Sequence, residues 1–522
     1  MIRFEECLSA SARRDPQRVA IVCRGTRTNY AELAEQVERF AARLVAIDGF
    51  QRGARCVLFL DNRLEAAVAI LGTLRAGGVF SVLNPTTKAD KLAYVLDNCV
   101  ATVLVTQASL LGVARTAADQ VSTLRRVIAV DADTAPDVLG WDDFMAQAMP
   151  DLPAAPRGID IDLAMLVYTS GSTGRPKGVM MTHRNVVFAA TSITRYLEMR
   201  REDVVLSVLP LAFDYGLYQL LMCVMCGATL VLEKSFAFPQ KVLPLLASES
   251  VSGFPLVPTM AALIVQTRNF DPQWATSVRF LTNTAAALPP AHIARLRSLF
   301  GRARVYSMYG QTESKRCTWL PPEQLDTRPD SVGIAIPGTE VWVANEHGER
   351  LAPGATGELV VRGGHVMQGY WRNEEATARA LRPGPYPWEK VLHTGDLFRM
   401  DEEGYCYFIG RKDDMLKTRG EKVSPKEVEN VLYAMPGIAE AAVVGVPDEL
   451  LGQALKALIV TADGVSLEAR DVIAHCLAQL EDFMVPRLIE FRSGLPKTST
   501  GKIRRAALQA EAEGRELPVD DS

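Results

Sequence analysis

The 522-residue sequence predicts an α/β protein, with a large amino-terminal domain of helix-covered sheets that includes a β-rich subdomain, and a small α+β carboxy-terminal domain. Three observations predict it. Amphipathic helical stretches alternate with short apolar runs through the first half, the pattern of parallel strands covered by helices. Around residues 335–410 the texture changes to short strands with Gly and Pro turns. After the charged run Arg411-Lys-Asp-Asp414 a new α+β pattern begins, which places the domain boundary there. The length agrees, since a chain of this size exceeds a single hydrophobic core.

In chain order, helical periodicity runs over 30–46 and 64–76, and strands are expected at 55–60 and 79–83. A strand is predicted at 161–167. The apolar stretch 217–232 reads as a buried helix running into a strand, because Gln219, Gly227 and Glu233 interrupt it well short of the roughly 20 apolar residues of a membrane helix. Strands at 340–344 and 357–362 belong to the β-rich part. The last domain reads as helix 425–434, strands 441–446 and 457–460, and helix 466–480. The polar, acidic tail from Gln509 is expected to fray.

Composition narrows the function classes. Hydrophobic residues at 48% and charged residues at 23% fit a soluble enzyme, and a net charge of -4 gives no sign of a nucleic-acid or membrane partner. Acidic residues stand at the amino terminus where a signal peptide would be basic and then apolar, and nine scattered cysteines suit a reduced compartment, so a cytoplasmic location is expected. Cys223 and Cys226 form a CxxC pair with no second pair or histidine nearby, which reads as helix packing rather than a metal site.

The run Tyr168-Thr-Ser-Gly-Ser-Thr-Gly-Arg-Pro-Lys-Gly178 carries the most chemistry. Gly171, Gly174 and Gly178 let the backbone approach an anion and turn its N–H groups toward it. Thr169, Ser170, Ser172 and Thr173 add hydroxyl donors, and Lys177 adds a mobile positive charge. Arg175-Pro176 follows Gly174 where a Walker loop would continue Gly-Lys-Ser/Thr, so kinase and GTPase loops are excluded.

With the ordered motifs Leu74-Arg-Ala-Gly77, Tyr309-Gly-Gln-Thr-Glu313, Gly357-Glu-Leu359, Gly369-Tyr370, His393-Thr-Gly-Asp396, Gly410-Arg-Lys-Asp-Asp414, Lys417-Thr-Arg-Gly420 and Pro496-Lys-Thr-Ser-Thr-Gly-Lys502, the sequence resembles the adenylate-forming superfamily over nearly its whole length. That superfamily holds acyl-CoA synthetases, adenylation domains of non-ribosomal peptide synthetases, and luciferases. The resemblance implies ATP and magnesium as cofactors, a large domain over 1–410, a hinge at 411–413 with Asp413 as its pivot, and a mobile small domain over 414–522.

A carboxylate is a poor electrophile because its leaving group would be oxide, and coupling to AMP supplies a better one. Attack on an α-phosphate brings anions together, so charge neutralisation and positioning dominate. In the resemblance Glu313 holds the magnesium, as a hard cation on ATP takes only one or two protein carboxylates. Thr312 donates to the α-phosphate, Tyr309 and Gly310 meet adenine, Asp396 accepts the ribose hydroxyls, and Arg411 assists. Lys502 is the adenylation lysine. Rotation of the small domain then exchanges it for the thiolation loop carrying Lys417 and Gly420.

For the acid, Phe213-Asp-Tyr-Gly216 is the telling segment. Amino-acid-activating relatives carry an aspartate at the position of Asp214 to bind the α-amino group, although stand-alone acyl ligases also carry this tetrapeptide. Further pocket walls implied by the resemblance are Tyr215, Tyr218, Pro255, Leu281, Asn283, Met308, Arg316 and Cys317. They suggest a small acid, with a proline-like amino acid favoured and a short or medium-chain fatty acid as the alternative. Arg316 reads a second carboxylate, pairs with Asp214, or faces outward beside Lys315, the last being the expected placement. No carrier-protein attachment region follows Lys502, so the phosphopantetheine thiol comes in trans, from a free-standing carrier protein or from CoA.

Overall fold

The computed structural model describes residues 3–147, 158–169, 176–284, 288, 290–412, 415–418, 421–448, 452–480, 482–497 and 503–514. Two helix-covered sheets and a smaller antiparallel one form the part up to Arg411. The first sheet has nine strands, six of them in one parallel run: Arg304–Tyr309, Phe280–Asn283, Gly253–Leu256, Val204–Ser207, Thr229–Leu232 and Val19–Cys23. The second has eight, with Leu163–Thr169, Val79–Leu83, Arg55–Phe59, Ala101–Gln107, Arg126–Val130 and Leu139–Gly140 parallel, and Lys177–Thr182 and Gly369–Tyr370 added antiparallel at one edge.

Strand alternation explains why this second sheet is apolar throughout. Val103 and Val105 join one core cluster and Leu104 joins another, so helices cover both faces. Helices Tyr30–Ala46 and Leu64–Arg75 cover one side; Asn29 caps the first of them, its side chain and that of Glu32 exchanging bonds with each other's backbone N–H, which stabilises the helix start by about 1 kcal/mol. The third sheet pairs Thr339–Ala344, Thr356–Gly363, Lys390–Met400, Leu381–Pro383 and Cys406–Arg411, all antiparallel. Beyond it, strands Ile438–Asp448, Gly452–Thr461 and Leu488–Phe491 form a sheet with helices Pro425–Ala434, Ala469–Leu477 and Arg505–Ala512 around it.

Three expectations need adjustment. The strand before the phosphate loop runs Leu163–Thr169, two residues later than predicted, and it forms a hairpin with Lys177–Thr182. The helix predicted over 466–480 is confined to Ala469–Leu477. Gln509 does not begin a frayed tail: it lies in the helix Arg505–Ala512, and its amide gives and receives bonds with the backbone of Gly445 at 2.7 and 2.9 Å. Leu508 of that helix packs on Ala442 and Val444, apolar burial that a polar tail composition hides. Among the described residues no helix is long and apolar enough to cross a membrane.

Two buried histidines give the fold an acid limit. Burial drops both His183, beside Arg3, and His365, stacked on Phe188, to about 4 from the ordinary 6.5. The unfolded chain therefore binds more protons than the native one between those values. Stability is complete above pH ~6.5 and falls as pH drops toward ~4. The melting temperature is expected to decline across that window, and the His183→Gln, His365→Gln double variant to flatten the slope; an unchanged slope contradicts the assignment.

Candidate active site

The hairpin sets Thr169 opposite Lys177, on either side of Ser170, Gly171, Ser172, Thr173 and Gly174, which lie outside the described residues. Gly178 sits under Tyr168, whose hydroxyl donates to Asn98 at 2.6 Å, so the root of the loop is braced by an aromatic ring. The short strand Gly369–Tyr370 pairs with Met180 and Val179 and brings Tyr370 to the same edge. Its ring lies 5.3 Å from the Lys177 ammonium, and its hydroxyl donates to Glu313 at 2.7 Å. Burial and that carboxylate together push the Tyr370 phenol up, so it remains a donor. The Met367 N–H fixes the Glu313 carbonyl at 2.8 Å. Thr312 stands half-buried beside it. Tyr370 is a site residue that sequence reasoning identifies only as part of a motif.

Glu313 fits a magnesium site in which ATP phosphates supply the other ligands. One carboxylate oxygen is held by Tyr370, and a hard cation on a nucleotide needs only one or two carboxylates. Among the described residues no group of three or more His, Cys, Asp or Glu side chains could hold a metal by itself.

A second cluster forms around Asp396. Tyr309 donates to it at 2.6 Å, and Arg411, its partner in strand register, stands 3.3 Å away. The Tyr309 ring is wedged against Phe398 at 4.8 Å and Phe408 at 6.3 Å, so the aromatic residue expected beneath adenine is tied to the carboxylate expected on ribose. The turn that presents Asp396 is itself anchored. Glu358 accepts the Gly395 N–H at 2.9 Å and contacts His393 at 3.4 Å. Burial opposes ionisation there, but those contacts and Lys412 hold the Glu358 carboxyl below the ordinary range. In the sequence Glu358 is one letter of a motif with no role of its own; the pairing of Thr356–Gly363 with Lys390–Met400 gives it one.

Gly310 has a structural reason beyond nucleotide contact. A Cβ there would lie 1.8 Å from the Lys315 carbonyl oxygen, so any side chain must displace the loop 314–316. That loop folds back tightly, with Lys315 at φ 59, a left-handed value that non-glycine residues rarely adopt. The consequence corrects one expectation: Arg316 does not face outward beside Lys315. Both are buried, at 5% and 1% exposure. The Arg316 guanidinium lies 4.6 Å from the Tyr215 ring, and the Lys315 ammonium 5.7 Å from the Tyr218 ring.

Asp214 opens the helix Asp214–Cys226, whose first turn carries Tyr215 and Tyr218, both almost fully buried. The Tyr215 hydroxyl reaches the carbonyl and hydroxyl of Thr282, at 2.8 and 2.6 Å, a residue the sequence reading does not select. It lies between Leu281 and Asn283, which alternation along the strand turns to the other face. Pro255 sits opposite Thr282 on the neighbouring strand; Met308 receives the Tyr196 hydroxyl on sulfur at 2.9 Å; Cys317 meets Ser314 at 3.0 Å. A hollow of about 460 Å³ beside helix His183–Tyr196, bordered by Arg184, Phe188 and Pro337, contains none of these residues.

In the last part of the chain, Lys417 lies in the strand Leu416–Thr418, paired with Glu421–Val423, while Gly420, the hinge candidate Asp413 and the lysine candidate Lys502 lie outside the described residues. A bridge between Lys497 and Ile503 pins the flanks of the segment that contains Lys502.

A fixed carboxylate carrying an aromatic and an arginine partner, and a second carboxylate linked through Tyr370 to Lys177, form the arrangement expected of a nucleotide-dependent enzyme. Residues 8–371 match the AMP-binding enzyme family and residues 427–502 match the AMP-binding enzyme C-terminal domain, so the chain belongs to that family. It is 33% identical to a 3-[(3aS,4S,7aS)-7a-methyl-1,5-dioxo-octahydro-1H-inden-4-yl]propanoyl:CoA ligase of Rhodococcus jostii, over 97% of this chain and 98% of that protein. It is 34% identical to a feruloyl-CoA synthase of Amycolatopsis, over 95% and 96%. ATP-bound MatB from Rhodopseudomonas palustris superposes with a TM-score of 0.87 at 30% identity, over 98% and 99% of the two chains. The chain is an acid–thiol ligase using ATP and magnesium, with the α/β architecture of adenylate-forming enzymes.

Proposed function

We propose that this enzyme is an acyl-CoA ligase. A carboxylate oxygen of the acid attacks the α-phosphorus of ATP and pyrophosphate leaves; the sulfur of CoA then attacks the acyl carbon, a C–S bond replaces the C–O bond, and AMP leaves. Glu313 would hold the magnesium ion, which would supply neutralisation of phosphate charge when bound. Thr169, Ser170, Gly171, Ser172, Thr173, Gly174 and Lys177 cradle the phosphates, Thr312 donates to the α-phosphate, and Tyr309, Asp396 and Arg411 hold the nucleoside. Lys502 stabilises the charge that develops during adenylation. Residues 1–410 act as the large domain and 414–522 as the small one, turning at Asp413 to bring Lys417 and Gly420 to the adenylate.

One observation carries the choice of acid type. The Lys315 and Arg316 cations are buried against Tyr218 and Tyr215, in the helix that Asp214 opens. With two cations already buried along that helix, an α-ammonium group is not needed to bring positive charge to the wall that Asp214 opens. The relatives' CoA acceptors support the same reading. The position of Asp214 at the mouth of its helix favours the aminoacyl alternative, in which a proline-like acid is loaded on a carrier protein. Hydroxamate-trapped turnover over proline, other amino acids and simple acids separates the two, followed by thioester detection on CoA. Simple acids are expected to react and to form CoA thioesters in both the native protein and Asp214→Ala. Activity restricted to amino acids and abolished by Asp214→Ala would overturn the proposal.

A further inference from the structure

Three polar groups beside the helix that Asp214 opens are left without the partners their burial calls for. Among the described residues, the Lys315 ammonium, the Arg316 Nε and the Tyr218 hydroxyl are buried with no hydrogen-bond partner. Arg316 spends one N–H on the Lys315 carbonyl at 3.2 Å and lays its plane against Tyr215. Asp214, 9% exposed at the start of that helix, forms no ion pair with either cation among the described residues. Glu313, two residues from Lys315, forms no ion pair with either cation among the described residues and is held instead by the Tyr370 hydroxyl. Burying an ion without a counter-charge is costly, and the loop adds a left-handed φ at Lys315 to place it there.

We propose that the acid substrate carries a second negative group, and that Lys315 and Arg316, with the Tyr218 hydroxyl, bind this distal carboxylate; the substrate class is a short dicarboxylic acid. The inference rests on the acyl-CoA ligase reading and names its substrate. The reacting carboxylate is a poorer match for these cations. It loses its charge on becoming an acyl-adenylate, so an ammonium that held it would stabilise the ground state and raise the barrier. A distal carboxylate keeps its charge through both half-reactions. An amino group is also a poorer match, since it would add a third positive charge beside Lys315 and Arg316. Lys315, Arg316, Tyr215 and Tyr218 are all buried, so the diacid proposed is a compact one.

The test is acid-dependent ATP–pyrophosphate exchange, with CoA thioester formation read in parallel, on matched pairs: succinate and butyrate, glutarate and valerate, adipate and hexanoate. The native enzyme is expected to prefer one diacid over its monoacid partner. Arg316→Met and Lys315→Met are each expected to lower that diacid-to-monoacid ratio of kcat/KM by about 30-fold or more, the loss seen when one member of a buried charge pair is removed. The change should appear mainly in KM for the diacid, as for binding kept through the transition state. Arg316→Lys, which keeps the charge, retains the preference and covers the case in which the methionine variants fold poorly. Preference for the monoacid in every pair, or an equal loss for both members in the variants, overturns the inference. Thioester formed from monoacids alone does so while leaving the ligase reading intact; no thioester from any acid ends both.

Discussion

Replacing Glu313 by glutamine is expected to lower acid-dependent pyrophosphate exchange by about 100- to 1,000-fold, on the scale of losing one preorganised charge stabiliser at the reacting phosphate. The amide keeps the shape and can still accept the Tyr370 hydroxyl that lies 2.7 Å away. It removes the negative charge that a magnesium ion requires. The melting temperature should stay near native, because the loop around residue 313 is also held by the Met367 N–H. Raising magnesium should recover part of the loss, whereas Tyr370→Phe, which removes only the hydroxyl, should cost far less. Full exchange activity in Glu313→Gln would move the metal site elsewhere.

Lys502→Ala is expected to separate the two half-reactions. Adenylation should fall by about 100- to 1,000-fold, as one cation is lost from a transition state that gathers negative charge. Thioester formation from a supplied acyl-adenylate should proceed at a rate close to native, because in the proposed second conformation the loop carrying Lys417 and Gly420 has replaced Lys502 at the adenylate. Rapid-quench kinetics of each half-reaction read the split. An equal fall in both steps would mean that Lys502 acts on the fold or on both conformations of the small domain.

The nucleotide half of the site is legible in the sequence motifs. Asp396, Tyr309, Arg411, Glu313 and Lys177 are drawn from segments far apart in the chain, and folding brings Tyr309, Asp396 and Arg411 into contact and joins Lys177 to Glu313 through Tyr370. Tyr370 and Glu358 stand out in the sequence only as motif letters, because their partners come from strand pairing across large sequence separations, which no local pattern encodes. The acid pocket is less legible for a different reason. A Lys-Arg pair in a polar loop normally faces solvent, and only the left-handed turn at Lys315 and the close approach at Gly310 drive both side chains inward. The composition of 466–480 likewise indicates a helix but not its ends, which fall at Ala469 and Leu477.

The most direct test of the account follows an oxygen atom. With the acid that supports turnover labelled with oxygen-18 in its carboxylate, AMP formed together with the thioester should carry one labelled oxygen, because the carboxylate attacks the α-phosphorus and that oxygen leaves with AMP. AMP without label, or label found in inorganic phosphate instead, would contradict an acyl-adenylate intermediate and with it the central assignment.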